Sequence, residues 1–186
     1  MSKSFKTFLK HTAKDFHNQS VNPPVVRAST IIFKSMQHIR KTQNKAKKNP
    51  TGGYYDYGRQ GTSTTHILQK ILTKLEESYH VFTTSTGFGS VFLAIFSVVR
   101  PGDEMLVADP VYSPTRLLTQ DYLKEFKIKT IFYNPHDLKT LQNNITKKTK
   151  LIFVENPGSN SFEFQDLGKI ISIAKKNKII TAIDNT

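Results

Sequence analysis

The sequence contains no cysteine. Disulfides, thiolate nucleophiles and cysteine metal ligands are therefore excluded, and the composition fits a chain kept in a reducing, cytoplasmic compartment. No apolar run approaches the roughly 20 residues that a membrane-spanning helix needs. Paired histidines at metal-ligand spacing are missing too: His11, His17, His38, His66, His80 and His136 are scattered, and no metal is expected. Acidic residues are few, 14 against 27 basic ones, so the formal charge is +13. Arginine, the bidentate reader of phosphates and bases, occurs only five times. The remaining cations are lysines spread over the chain, dense only across 40–48, where no aromatics are interleaved. Such lysines read as solvated faces, and nucleic acid is not expected as a partner. Internal repeats, low-complexity linkers and a Ser-His-Asp set are also absent.

What is present begins with a basic stretch, 1–19, that has neither the apolar centre nor the small-residue cleavage site of a secretory signal. Phe5, Phe8, Leu9 and Phe16 fall near one helical face. Lysine in place of arginine, together with Asp15, argues against a transit peptide. The expectation is a short amphipathic helix packed on the body or on a neighbouring subunit. A length of 186 residues suffices for one domain, or for the larger part of one.

Pro23-Pro24 bars regular structure and makes 17–30 an extended arm. A polar, basic helix is predicted over 35–48, closed by Asn49-Pro50 and the Gly52-Gly53 turn. The organisation divides into this arm and basic helix, 1–50, and an α/β region, 51–186. A Tyr- and Gly-rich loop, 51–61, leads to a helix from Thr62 or Ser63 with Ile67, Leu68, Ile71, Leu72 and Leu75 at helical spacing. Strands and helices then alternate. Strands are predicted over 80–84, 104–108, 128–133, 151–154 and 178–183. Helices are predicted over 88–99, 113–126 and 137–145, with a last one capped by Asp166 and running through Lys176. Alternation of this kind implies an α/β fold, a mostly parallel sheet with helices on both faces.

In such sheets ligands bind outside the carboxyl ends of the strands. Chemically suggestive residues gather there: Thr86-Gly87-Phe88 follows one strand, Asp109-Pro110-Val111-Tyr112 another, Glu155-Asn156-Pro157-Gly158-Ser159 a third, and Asp184 the last, while Tyr57-Gly58-Arg59 lies apart in a loop. Ser85-Thr86-Gly87-Phe88 joins a strand to a helix, where free N–H groups and the helix dipole favour an anion; the bland alternative is a plain turn glycine. Tyr57-Gly58-Arg59 sets a phenol and a guanidinium two apart, both able to hydrogen-bond phosphate, or simply to sit on a solvated loop. Tyr112, after Asp109-Pro110-Val111, can stack on a planar ring and handle a proton, or merely pack. Asp184 ends an apolar strand, where a carboxylate is expensive unless compensated. A protonated pyridine nitrogen would compensate it; a helix N-cap role for Asp184-Asn185-Thr186 is the alternative.

Together, Tyr57-Gly58-Arg59-Gln60-Gly61-Thr62, Gly87, Asp109-Pro110-Val111-Tyr112, Glu155-Asn156-Pro157-Gly158-Ser159 and Asp184-Asn185-Thr186 resemble the Cys/Met-metabolism family of pyridoxal-phosphate enzymes. The resemblance runs from about Val21 to Thr186 and corresponds to the N-terminal half of the family. It implies the large-domain fold of fold-type I pyridoxal-phosphate enzymes, in truncated form. Gly61-Thr62 and Gly158-Ser159-Asn160 stand where γ-acting relatives tend to have Asn-Pro-Thr and Thr-Asn-Pro, which leans toward the cystathionine β-lyase branch. That branch implies β-elimination of cystathionine to homocysteine, pyruvate and ammonia, a step toward methionine; the alternatives are a γ-acting relative, or a non-catalytic basic domain that binds nucleic acid through the 40–48 cluster.

By the same resemblance the cofactor is pyridoxal 5'-phosphate. Tyr57 and Arg59 would hold the phosphate of a neighbouring subunit, implying a homo-oligomer. Gly87 and Phe88 would hold it within the subunit, Tyr112 would stack on the ring and take part in proton transfer, and Asp184 would pair with the pyridinium. The family's covalent lysine lies in a Ser-x-Thr-Lys stretch after the Asp, which these 186 residues do not contain. Lys169, Lys175, Lys176 and Lys178 precede Asp184 and are expected at the other end of the last strand. The expectations are low activity for the chain alone, a partner C-terminal half, and an exposed apolar face with an unpaired sheet edge.

Overall fold

The structure is a computed structural model that describes residue 7 and residues 21–186. The amphipathic helix expected from Phe5, Phe8, Leu9 and Phe16 lies outside the described residues. The chain forms two compact units, Met1–Thr83 and Thr84–Thr186.

In the first unit the arm after Pro24 is extended, and Thr30 makes an antiparallel bridge to Tyr57. Helix α1 (Met36–Lys48) starts at Ser35, whose hydroxyl accepts from the His38 N–H, and ends with Lys45, Lys47 and Lys48 in its last turn. Cations there oppose the negative end of the helix dipole. A 3-10 turn (Gly58–Gln60) precedes α2 (Ser63–Leu75). The apolar stripe of α2 is present in sequence, yet none of its residues is buried. The buried core of the described residues comes instead from the second unit, between Val91 and Ile179.

The second unit contains α3 (Gly87–Val98), β1 (Glu104–Ala108), α4 (Ser113–Leu117), a π-helical segment (Leu118–Tyr122), α5 (Leu123–Glu125), β2 (Lys129–Tyr133), α6 (Leu138–Asn143), β3 (Thr149–Glu155), α7 (Leu167–Lys176) and β4 (Ile180–Asp184). The four strands form one parallel sheet in the order β2-β1-β3-β4. All of β1 is buried, as is all of β3 except Lys150. That is why both read as near-continuous apolar runs: helices cover both faces of these inner strands. Each fully buried Leu, Ile or Val contributes about 1.5–3 kcal/mol. With right-handed crossovers, the reversal of direction after β2 sends α4 and α5 to one face and α6 and α7 to the other. At the outer edge, Ile180 and Ile183 of β4 are exposed, as the apolar edge expectation required.

Two expectations are corrected. Residues 80–84 are extended but join none of the four strands. Val81, Phe82 and two threonines are strand-favouring residues, but a strand exists only where a neighbour accepts its N–H groups. The predicted continuous helix over 113–126 is interrupted by the π-helical segment. Thr119 donates its hydroxyl to the Thr115 carbonyl at 2.8 Å, and its own carbonyl accepts the Thr130 hydroxyl at 2.6 Å. Side chains that compete for carbonyls in this way loosen the helical ladder.

Candidate functional site

The chain leaves β1 toward β2 and returns past it to β3, so strand order reverses between β1 and β3. Ligands bind at such a switch point, beyond the carboxyl ends of the strands. A cleft of about 1200 Å³ opens there, lined by the start of α3, Tyr112, Glu155, the 157–160 loop and the end of β4.

One wall is the N-terminus of α3. Thr86 is its cap, and the Thr86 hydroxyl accepts from the Gly89 N–H at 2.9 Å. The Gly87 and Phe88 N–H groups occupy first-turn positions and have no acceptor within the helix. A Cβ built on Gly87 would meet nothing within 4 Å, whereas one on Gly89 would approach the Thr86 hydroxyl at 3.0 Å. Glycine at 87 is thus not demanded by the fold itself. Its absent side chain leaves a cradle on the cleft, next to two free donors and the positive end of a helix, which fits a phosphate.

The loops after β1 and β3 are tied together. The Ser159 N–H donates to the Pro110 carbonyl at 2.8 Å, and a Cβ on Gly158 would come within 3.0 Å of the Pro110 ring. Glycine there lets the two loops approach closely, and a larger residue would push the Pro110 ring by a few tenths of an ångström. Asp109 is held by Arg116, which reaches both its carboxylate and its carbonyl and lies 4.1 Å from the Phe132 ring centroid. Tyr112 therefore projects from a braced turn. Its ring is half exposed on the cleft, and its N–H donates to the Glu155 carboxylate at 2.7 Å.

On the floor stand two carboxylates. Asp184 and Glu155 are register partners at the ends of β4 and β3. Asp184 Oδ1 accepts from the Thr186 N–H at 3.1 Å and the Thr186 hydroxyl at 2.7 Å. This local turn keeps the side chain on the cleft and directs both bonds to one oxygen. Glu155 is only 7% exposed. Burial pushes its pKa up, partly countered by the Tyr112 N–H, with the Asp184 charge adding to the rise. Behind it, Gln165 donates to the Glu155 carbonyl at 2.9 Å and accepts from the Tyr133 hydroxyl at 3.0 Å.

Gly87, Phe88, Tyr112 and Asp184 therefore line a single cleft. Tyr57 and Arg59 belong to the first unit, where the guanidinium stacks 5.1 Å from the phenol centroid and the Tyr57 hydroxyl accepts from Ser29 at 3.0 Å. A Cβ on the intervening Gly58 would fall 1.8 Å from the Ala28 carbonyl oxygen. No lysine lines the cleft among the described residues. Lys175, Lys176 and Lys178 precede β4, at the end of the strand opposite Asp184, but the expectation fails for Lys169: it stands in the first turn of α7, which begins on the carboxyl side of the sheet, and pairs there with Asp166 at 2.8 Å. Sequence reasoning missed Glu155 as a site residue. The signal was available, because Leu151-Ile152-Phe153-Val154-Glu155 ends an apolar strand on a carboxylate just as 180–184 does.

The profile of Cys/Met metabolism pyridoxal-phosphate-dependent enzymes matches residues 6–186. The chain belongs to that family. Pyridoxal phosphate is accordingly its cofactor type, and the free donors beside Gly87 suit the phosphate. The cystathionine β-lyase of Haemophilus influenzae is 34% identical over 179 residues, covering 93% of this chain and 43% of the relative. A Campylobacter jejuni structure named for O-acetylhomoserine (thiol)-lyase activity, which contains a pyridoxyl-lysine monophosphate, superposes with a TM-score of 0.86 at 26% identity, over 100% of this chain and 45% of its own. The cystathionine γ-lyase of Lactobacillus plantarum gives 0.83 at 25% identity, over 99% and 45%. The chain thus spans less than half the length of these relatives. No helix among the described residues is long and apolar enough to cross a membrane.

Proposed function

We propose that this chain provides the ring- and phosphate-holding half of a carbon–sulfur lyase that β-eliminates cystathionine to homocysteine, pyruvate and ammonia. The observation that carries this reading is the convergence of Gly87, Tyr112 and Asp184 on one cleft, with open space where a Gly87 side chain would stand. The Gly87 and Phe88 N–H groups bind the phosphate. Asp184, with Oδ1 occupied by Thr186, offers Oδ2 to the ring N–H and holds the proton there. Bound in this cleft, pyridoxal phosphate supplies an electron sink beside the amino-acid substrate's Cα. The Tyr112 ring flanks the cofactor and its hydroxyl moves a proton. Tyr57 and Arg59 reach the phosphate of a second copy, so the working site is oligomeric.

Because no lysine among the described residues lines the cleft, this reading takes the covalent amine and the proton shuttle at Cα from residues outside those described, and without them turnover is slow. Co-expression with a polypeptide matching the remaining half of the relatives tests the reading. Pyruvate release from cystathionine, lost in Asp184→Ala, is expected. Release of 2-oxobutyrate in place of pyruvate would instead assign the γ-acting branch, which the likeness to a cystathionine γ-lyase favours as the second reading. No pyridoxal phosphate binding in either preparation would overturn both.

A further inference from the structure

We propose that Glu155 is a positioning residue: its carboxylate fixes the Tyr112 ring at the cleft by holding the Tyr112 main-chain N–H. The inference rests on the cofactor reading above, in which Tyr112 flanks the ring. Tyr112 is held by its backbone, because its phenol has no hydrogen-bond partner among the described residues and its ring is half exposed. What aims the ring is therefore the turn from which it projects. That turn has no side-chain cap at Tyr112, the residue just before α4. Its anchors include the Arg116 clamp on Asp109, the Ser159 bond to Pro110, the Arg116 N–H bond to the Tyr112 carbonyl at 3.0 Å, and the 2.7 Å bond from Tyr112's own N–H to Glu155.

Glu155 is suited to the task because it is itself immobile. Its carbonyl is held by Gln165, its neighbour Asn156 donates its N–H to the Asp184 carbonyl at 3.0 Å, and its strand is buried. A carboxylate with 7% exposure is costly to keep unless its bonds are used. The Glu155 side chain thus ties the end of β3 to the ring-bearing turn, while the main chain of its neighbour Asn156 ties the same strand end to the strand that carries Asp184. If the ring is displaced, Asp184 remains in place, so cofactor binding weakens without being abolished.

The sequence has no tryptophan, so Tyr112→Trp installs a single emitter at the position in question. In that background, Glu155→Ala is expected to shift the emission toward that of a solvated indole and to lose most of the quenching by saturating pyridoxal phosphate. Half-saturation should rise about tenfold, in line with losing one hydrogen bond to a charged group. Glu155→Gln keeps an acceptor oxygen for the Tyr112 N–H and should retain both signals. Undiminished quenching in Glu155→Ala overturns the proposal, and so does a Glu155→Gln variant that matches Glu155→Ala, since charge and not position would then matter. Should Glu155→Ala not fold by circular dichroism, Glu155→Asp, one methylene shorter, must quench less than the parent; equal quenching rejects the idea. If the parent reporter binds the cofactor, seen by its absorbance, without any quenching, the ring-flanking role of Tyr112 fails first, and this inference falls with it.

Discussion

Glu155 and Asp184 face each other across the β3–β4 ladder, the last pair of the register, so two carboxylates share the floor of one cleft. Glu155 is the buried member, and burial raises its pKa above the ordinary glutamate value. For an acid with a raised folded-state pKa, the stabilising contribution is complete below the unfolded value and is lost as pH rises through the folded one. Glu155→Gln cannot ionise and should escape that loss. Its stability relative to the parent is expected to climb with pH across this window, as urea midpoints at about pH 4 and about pH 7 would show. An equal difference at both values would contradict the assignment.

Gly87 separates folding from binding. Its would-be Cβ meets no protein atom, and alanine is the better helix former by about 0.8–1 kcal/mol in a helix interior, less in the first turn. Gly87→Ala should leave the thermal midpoint unchanged or slightly raised. Pyridoxal phosphate affinity, followed by absorbance titration, should fall at least about tenfold because the methyl group intrudes on the phosphate cradle. Destabilisation without weakened binding would count against the cradle.

Gly58 behaves in the opposite way. A methyl group there would collide with the Ala28 carbonyl, which lies beside the bond from the Gly58 N–H to the Ser29 carbonyl at 2.7 Å. Gly58→Ala should cost about 1–3 kcal/mol locally, as overpacking does. Faster proteolysis of the 21–30 arm, with the second unit unaffected, is the expected readout.

At the far end of the sheet, Glu104 accepts the Thr146 hydroxyl at 2.6 Å and has Lys129 at 3.5 Å. The Thr146 bond is the main reason its pKa is lowered. That stabilisation is present above the unfolded-state pKa and is lost as pH falls through the lowered one. Thr146→Val should therefore cost about 1.5–3 kcal/mol near neutral pH and progressively less in acid, as denaturant titrations would record. A penalty that persists in acid would point to packing instead.

Residues along one strand or one turn were legible without coordinates. The β1 and β3 runs, the Pro114 start of the helix after Tyr112 and the Asp166 cap all express local rules of burial and capping. That Gly87, Tyr112 and Asp184 would come together on one cleft was legible for a related reason: the carboxyl end of every strand in a parallel sheet opens on the same side. Residues 80–84 misled because residue preference describes one strand, while a ladder needs two. The π-helical segment was hidden because the Thr130 hydroxyl that takes the Thr119 carbonyl lies on another element.

Chain chemistry alone determined that a parallel α/β sheet would form and that a glycine-bearing turn, an aromatic and a carboxylate would stand at its carboxyl edge. Periodicity, glycine placement and strand-end charge are short-range properties written residue by residue. Only the tertiary structure decided that Glu155 lies beside Asp184 and beneath Tyr112, and that Gly87 is spared from the protein's own packing while Gly158 is pressed against Pro110. Those facts depend on strand order and loop contact between segments 29 to 48 residues apart, a separation across which no local pattern carries information.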